Sequence, residues 1–152
     1  MDTGEFMKRE RDTIVQDAES SLEGRRVRHY ETTDPAELRR RLETLFDCMV
    51  KAIDDRDLSP IVAYARQVAE ERFSAGYDLS EVQAAFNTLE EAAWKRVFAE
   101  LDPSEFAETI GLVSTILGAA KDALGREYVS LATDAHAPSM DLRVLFAGSE
   151  GT

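Results

Sequence analysis

The chain has 152 residues, a net charge of -12, 43% hydrophobic and 32% charged content. That is enough apolar residue for one domain of ordinary size and too much for a disordered chain, while the negative charge repels phosphate backbones, so nucleic acid is not an expected partner. A single cysteine, Cys48, excludes an internal disulfide, no run approaches the roughly 20 apolar residues of a membrane span, and the charged N-terminus lacks a signal-peptide core; the cytoplasm is the expected address, with no membrane contact.

Taken in order, residues 1–31 read as a charged N-terminal helix whose apolar line, Phe6, Ile14, Val15, Ala18 and Leu22, is too sparse to fold alone. It has to dock on the chain's own bundle or on a second chain. Asp34-Pro35-Ala36-Glu37 then combines an N-cap, a proline at the first helical position and the spacing of a capping box. Leu38, Leu42, Leu45, Phe46, Met49 and Ile53 form the stripe that follows, and Asp54 to Asp57 closes it. Ser59-Pro60 predicts the next start, with Ser59 as the cap, and Ile61, Tyr64, Ala65, Val68, Ala69 and Phe73 recur at helical spacing.

That helix ends at a corner, Arg72 to Glu81. Gly76 stands where a left-handed residue is wanted, and Asp78 with Glu81 forms a capping box for a new helix carrying Val82, Ala85, Phe86, Leu89, Ala92, Ala93 and Val97. So short a turn makes the two helices antiparallel neighbours. Asp102-Pro103-Ser104-Glu105 repeats the start signal for the longest pattern, in which Phe106, Ile110, Val113, Leu117, Ala120, Leu124 and Leu131 keep a near-heptad line. No segment alternates with period two for long enough to make a sheet. The expected fold is all-α, a four- to five-helix bundle over residues 32–132, with a flexible tail over 133–152 that contains the isolated apolar run Leu142 to Ala147.

Three features are candidates for function. Gly111, Gly118 and Gly125 fall seven apart and, with Ala107 and Ser114, make a seam of small side chains; a tight contact inside the bundle, a dimer seam or room for a ligand would each explain them. The aromatic residues Tyr64, Phe73, Tyr77, Phe86 and Trp94 gather on the helices of the corner, as core or as the lining of a ligand cavity. Nine of the 18 basic residues lie in the first 41 positions, including Arg25, Arg26, Arg28 and Arg39 to Arg41, so that a basic half facing the acidic corner of another chain is an alternative to two solvated faces.

Other chemistry finds no footing. The only histidines, His29 and His136, flank the patterned helices, and no cysteine, histidine or acidic set has ligand spacing, so neither haem nor a metal nor another cofactor is expected. Cys48 reads as a buried, inert thiol. Glu70-Glu71 and Glu90-Glu91 point about 100° apart on a helix, and no nucleophile and base stand in a recognisable arrangement; the chain does not read as an enzyme.

The stretch from Tyr64-Ala65-Arg66 through Glu71-Arg72-Phe73-Ser74-Ala75-Gly76-Tyr77-Asp78-Leu79-Ser80-Glu81-Val82, with Ala85-Phe86 and Leu89 to Trp94, resembles the N-terminal helical domain of RsbR-type stressosome regulators, over roughly Leu38 to Leu131. The resemblance implies a globin-like or bundle-like sensory module without haem, which homodimerises and signals to an output such as a STAS-domain protein or a kinase. No such domain follows Leu131, so the expectation is of a chain that acts in trans on a partner, or of a stand-alone relative with another task. The second reading is a small-molecule-binding bundle that uses the aromatic set.

Overall fold

A computed structural model of the chain describes residues 2–24 and 34–136, the side chain of His136 excepted. Arg25, Arg26, Arg28, His29 and the Leu142 to Ala147 run lie outside the described residues. Five helices follow one another: α1 Thr3–Gly24, α2 Pro35–Asp55, α3 Ser59–Ser74, α4 Leu79–Glu100 and α5 Pro103–His136. Among the described residues there is no strand, and the architecture is an all-α bundle.

Local chemistry sets the boundaries. Asp34 caps α2 by accepting from the Ala36 N–H at 3.4 Å, with Pro35 inside the first turn. Glu37 turns its carboxylate to Arg40 and Arg41 rather than completing a box. The helix ends at Arg56, whose φ of 53° is left-handed. At α3 the expected cap shifts by two residues: Ser59 lies within the helix, and the accepting group is the Asp57 carboxylate, 3.0 Å from the Ser59 N–H. α5 continues to His136, beyond Leu131, where the apolar line stops.

The corner has the geometry its residues demand. Gly76 has φ +87°, the Tyr77 N–H donates to the Arg72 carbonyl at 3.0 Å, and the Gly76 N–H donates to the Phe73 carbonyl at 3.1 Å. This pair of bonds is a Schellman motif, which satisfies carbonyls that the end of α3 leaves without helical partners. Glu81 then reaches back to accept from the Asp78 N–H at 2.7 Å, closing the capping box of α4.

One continuous core joins all five helices. α1 packs on α2 and α4, while α3 packs most extensively on α5, which also lies along α4. Phe6, Met7, Ile14, Val15, Ala18 and Leu22 of α1 are fully buried. Ion pairs brace the same junctions from outside: Arg11 grips Asp47 with two bonds of 2.9 and 3.0 Å, Arg96 holds Glu10 at 2.9 Å, and Lys8 meets Asp54 at 2.8 Å. Arg39 donates to Gln16 at 2.8 Å and to Glu43 at 3.2 Å. Lys8, Arg11 and Arg39 of the basic half are thus paired with acids of their own chain.

Candidate functional site

One crevice lies where α2 crosses α3 and α4. α2 presents Leu38, Leu42 and Leu45 to the crevice between α3 and α4, where Val82 and Phe86 lie opposite and Tyr64 and Val68 stand on the third side. The result is a cavity of about 60 Å³. A single water takes roughly 10–15 Å³ on that measure, so the space exceeds a structural water site several-fold. Leu42, Leu45, Val82 and Phe86 are buried, which makes the floor apolar; the polar lining residues Arg41, Glu71 and Arg72 keep part of their side chains in solvent.

Arg41 enters here because it follows Leu38 by three residues and precedes Leu45 by four, the spacing that places helical neighbours on one face. Its Nε donates to Glu37 at 3.0 Å, while its Nη1 is buried with no hydrogen-bond partner. Arg72 lies over the Tyr77 ring at 5.1 Å and is 3.9 Å from Glu71. Of the aromatic residues expected to line a cavity, the structure brings Tyr64 and Phe86 to it. Phe73 instead meets Tyr128 edge-to-face at 5.7 Å, Tyr77 lies beneath Arg72, and Trp94 packs against the core with its Nε1 buried and unpartnered.

Tyr128 is the residue that sequence reasoning missed. Its hydroxyl donates to the Tyr77 carbonyl at 3.0 Å, tying α5 to the corner that holds Arg72. Its place four residues after Leu124, on the stripe of α5, was the available signal.

The small-residue seam lies elsewhere. Among the described residues, an added Cβ at Gly111, Gly118 or Gly125 would meet nothing within 4 Å. Of the three readings of these glycines, the tight contact within the bundle is not made by the described residues. Their line, with Ser114 and then Val129, runs along the flank of α5, where Val129 is 64% exposed. The same helix turns Val113, Leu117, Ala120 and Leu124 to the core.

The sequence profile of the RsbT co-antagonist protein RsbRD N-terminal domain matches residues 12–139. The chain belongs to this family. Its members are stressosome-type regulatory domains. No curated protein and no solved structure matches the chain. The family match begins inside α1, earlier than the Leu38 start of the resemblance read from the corner, so the RsbRD domain here takes in half of the first helix as well.

In this RsbRD domain Cys48 is half-buried rather than fully enclosed, and burial, with a smaller contribution from the Asp47 carboxylate, pushes its thiol up. Among the described residues no helix is long and apolar enough to cross a membrane. Burial also pushes the phenols of Tyr64 and Tyr128 up to about 12. Between the ordinary tyrosine value of about 10 and this level, the folded state keeps protons that the unfolded state releases, so stability falls as pH rises through that window. An absorbance titration is expected to resolve a late-ionising pair of tyrosines, and the late step should vanish in concentrated urea. A single transition at the ordinary value in the folded protein would contradict the burial of both rings.

Proposed function

We propose that the chain is a non-enzymatic regulatory module of the cytoplasm that homodimerises and acts on a partner by a change in helix packing. Family membership over residues 12–139 carries the reading. The open glycine line of α5 supports the dimer half of it. Three glycines in a helix interior cost about 1 kcal/mol each against alanine, no described residue uses the space they leave, and close approach of a second helix is the use that such space serves. A partner such as a STAS-domain protein or a kinase fits the regulatory family, and it would read the shift at the flank of α5 or at the Arg72 to Glu81 corner.

The deciding experiment combines sedimentation equilibrium of the chain and of Gly118→Leu with crosslinking capture from native cytoplasm. A dimer that Gly118→Leu dissociates, captured together with a STAS-domain protein or a kinase, is the expected result. A monomer in the wild type, or a dimer untouched by Gly118→Leu, sinks the glycine contact. Capture of no signalling protein under conditions that preserve the dimer sinks the partner assignment.

A further inference from the structure

We infer that the crevice between α2, α3 and α4 is a docking site for the chain's own C-terminal apolar run, and that the branched side chain of Leu142 fills it. Such docking is independent of the dimer and of any partner.

Volume sets the size of the occupant. A dry cavity of roughly 150 Å³ holds the six carbons of benzene, so a space of this size takes about two or three carbons and excludes a ring; here the volume is about 60 Å³. The branched end of one leucine or valine has that size. Leu38, Leu42, Leu45, Val82 and Phe86 are buried around the space and offer it apolar surface.

Charge sets what flanks that side chain. Arg41 is bonded to Glu37 at 3.0 Å and Arg72 stands 3.9 Å from Glu71, so the mouth carries both signs without an excess of either. A strongly charged occupant would find nothing there to neutralise it. Leu142 stands between Asp141 and Arg143, one charge of each sign, in a chain whose total is -12. The distance between Arg72 and Glu71 is too long for a hydrogen bond, which leaves both groups able to take a closer partner, and Glu71 is 53% exposed.

Reach selects this segment. Arg72 lies over the Tyr77 ring, and the Tyr128 hydroxyl is bonded to the Tyr77 carbonyl, so α5 passes close to the mouth of the crevice at Tyr128. From Tyr128 the helix runs on to His136, about 12 Å at the helical rise. The chain from His136 to Leu142 spans up to roughly 20 Å, which is enough to come back to the corner. Among the branched aliphatic residues beyond His136, Leu142 closes the shortest loop, and Phe146 carries the ring that the volume excludes.

A seated Leu142 ties the end of α5 to the corner and covers Val82 and Phe86. A partner reaches that floor only by displacing it, which makes the run a built-in competitor for the crevice.

The test uses the full chain with Cys48→Ala and Met140→Cys, the new thiol carrying a nitroxide, and reads the paramagnetic broadening of backbone amides. Loss of most of the intensity at Val68, Arg72, Val82 and Ala85, reversed when the nitroxide is reduced, is the expected result. Leu142→Asp in the same chain should restore the intensity, while Leu142→Val should keep the loss. Even broadening over the whole surface, broadening confined to other residues, or a loss that survives Leu142→Asp overturns the assignment. Isotope-labelled chain without nitroxide, mixed with unlabelled chain that bears it, shows whose run is seated: sharp crevice amides in the mixture are expected, and broadened ones assign the crevice to a second copy and overturn docking within the chain. Should Cys48→Ala disturb the bundle, the amide shifts of Leu142→Asp against the wild type serve instead. Changes centred on the crevice lining are expected there, and unmoved crevice amides overturn the proposal.

Discussion

Phe6→Ala is expected to destabilise the domain by about 3–5 kcal/mol, the range for deleting a fully buried aromatic ring. Phe6 has no exposed surface and belongs to the single core that all five helices share, so the ring leaves a cavity that α1 has no freedom to fill. The ion pairs Arg11 with Asp47 and Lys8 with Asp54 would persist, yet partly exposed pairs contribute only about 0–1 kcal/mol each and do not compensate. Urea unfolding should show a lower midpoint with one transition and an unchanged slope. An unfolding curve that loses α1 first while the remainder keeps its wild-type midpoint would show instead that α1 is an appendage.

Alanine at Gly111, Gly118 and Gly125 together is expected to stabilise the monomer by roughly 2–3 kcal/mol, close to the sum of three helix-propensity gains. Each new methyl meets open space among the described residues, so none of them sets a steric term against the gain. In the dimer the same methyls hold the second helix away from the backbone, and association should weaken. The two effects have opposite sign and separate by concentration: chemical denaturation of the dilute protein reads the first, sedimentation the second. Higher stability with unchanged association would leave the glycine face without a role in the contact. Lower stability in the dilute monomer would mean that the methyls are not in open space.

Helix starts and the corner were legible because their causes are local. Asp34 with Pro35, Gly76, and Asp78 with Glu81 each act within a turn of chain, and each takes the place its residue type requires. Ser59 misled for a related reason: two acceptors, Asp57 and Ser59, compete within three residues, and the longer carboxylate reaches the free N–H. The pocket was only half legible. Tyr64 and Phe86 share it because of how α2 crosses α3 and α4, which no spacing within one helix reveals. Arg41, set in a run of three arginines, resembled a solvated charge cluster, although it alone of the run has the register to reach the crevice. The glycine line illustrates a third limit. Periodicity identified the helix face, but whether that face is covered depends on where the other helices go, and here they go to the opposite side.

The packing order of the helices bears on how the polypeptide is made. α1 rests on α2 and α4, and α3 rests on α5, so each early helix waits for one that the ribosome produces much later. α1 and α2 can meet first, but the remaining apolar side of α1 stays wet until α4 emerges, and α3 has no main partner until most of α5 is out. Contacts of such long sequence separation delay collapse and leave hydrophobic surface available to chaperones. The domain is thus built to fold in one late step after nearly all of its helices have been synthesised, and a nascent chain stalled before α5 would carry an open core rather than a smaller stable bundle.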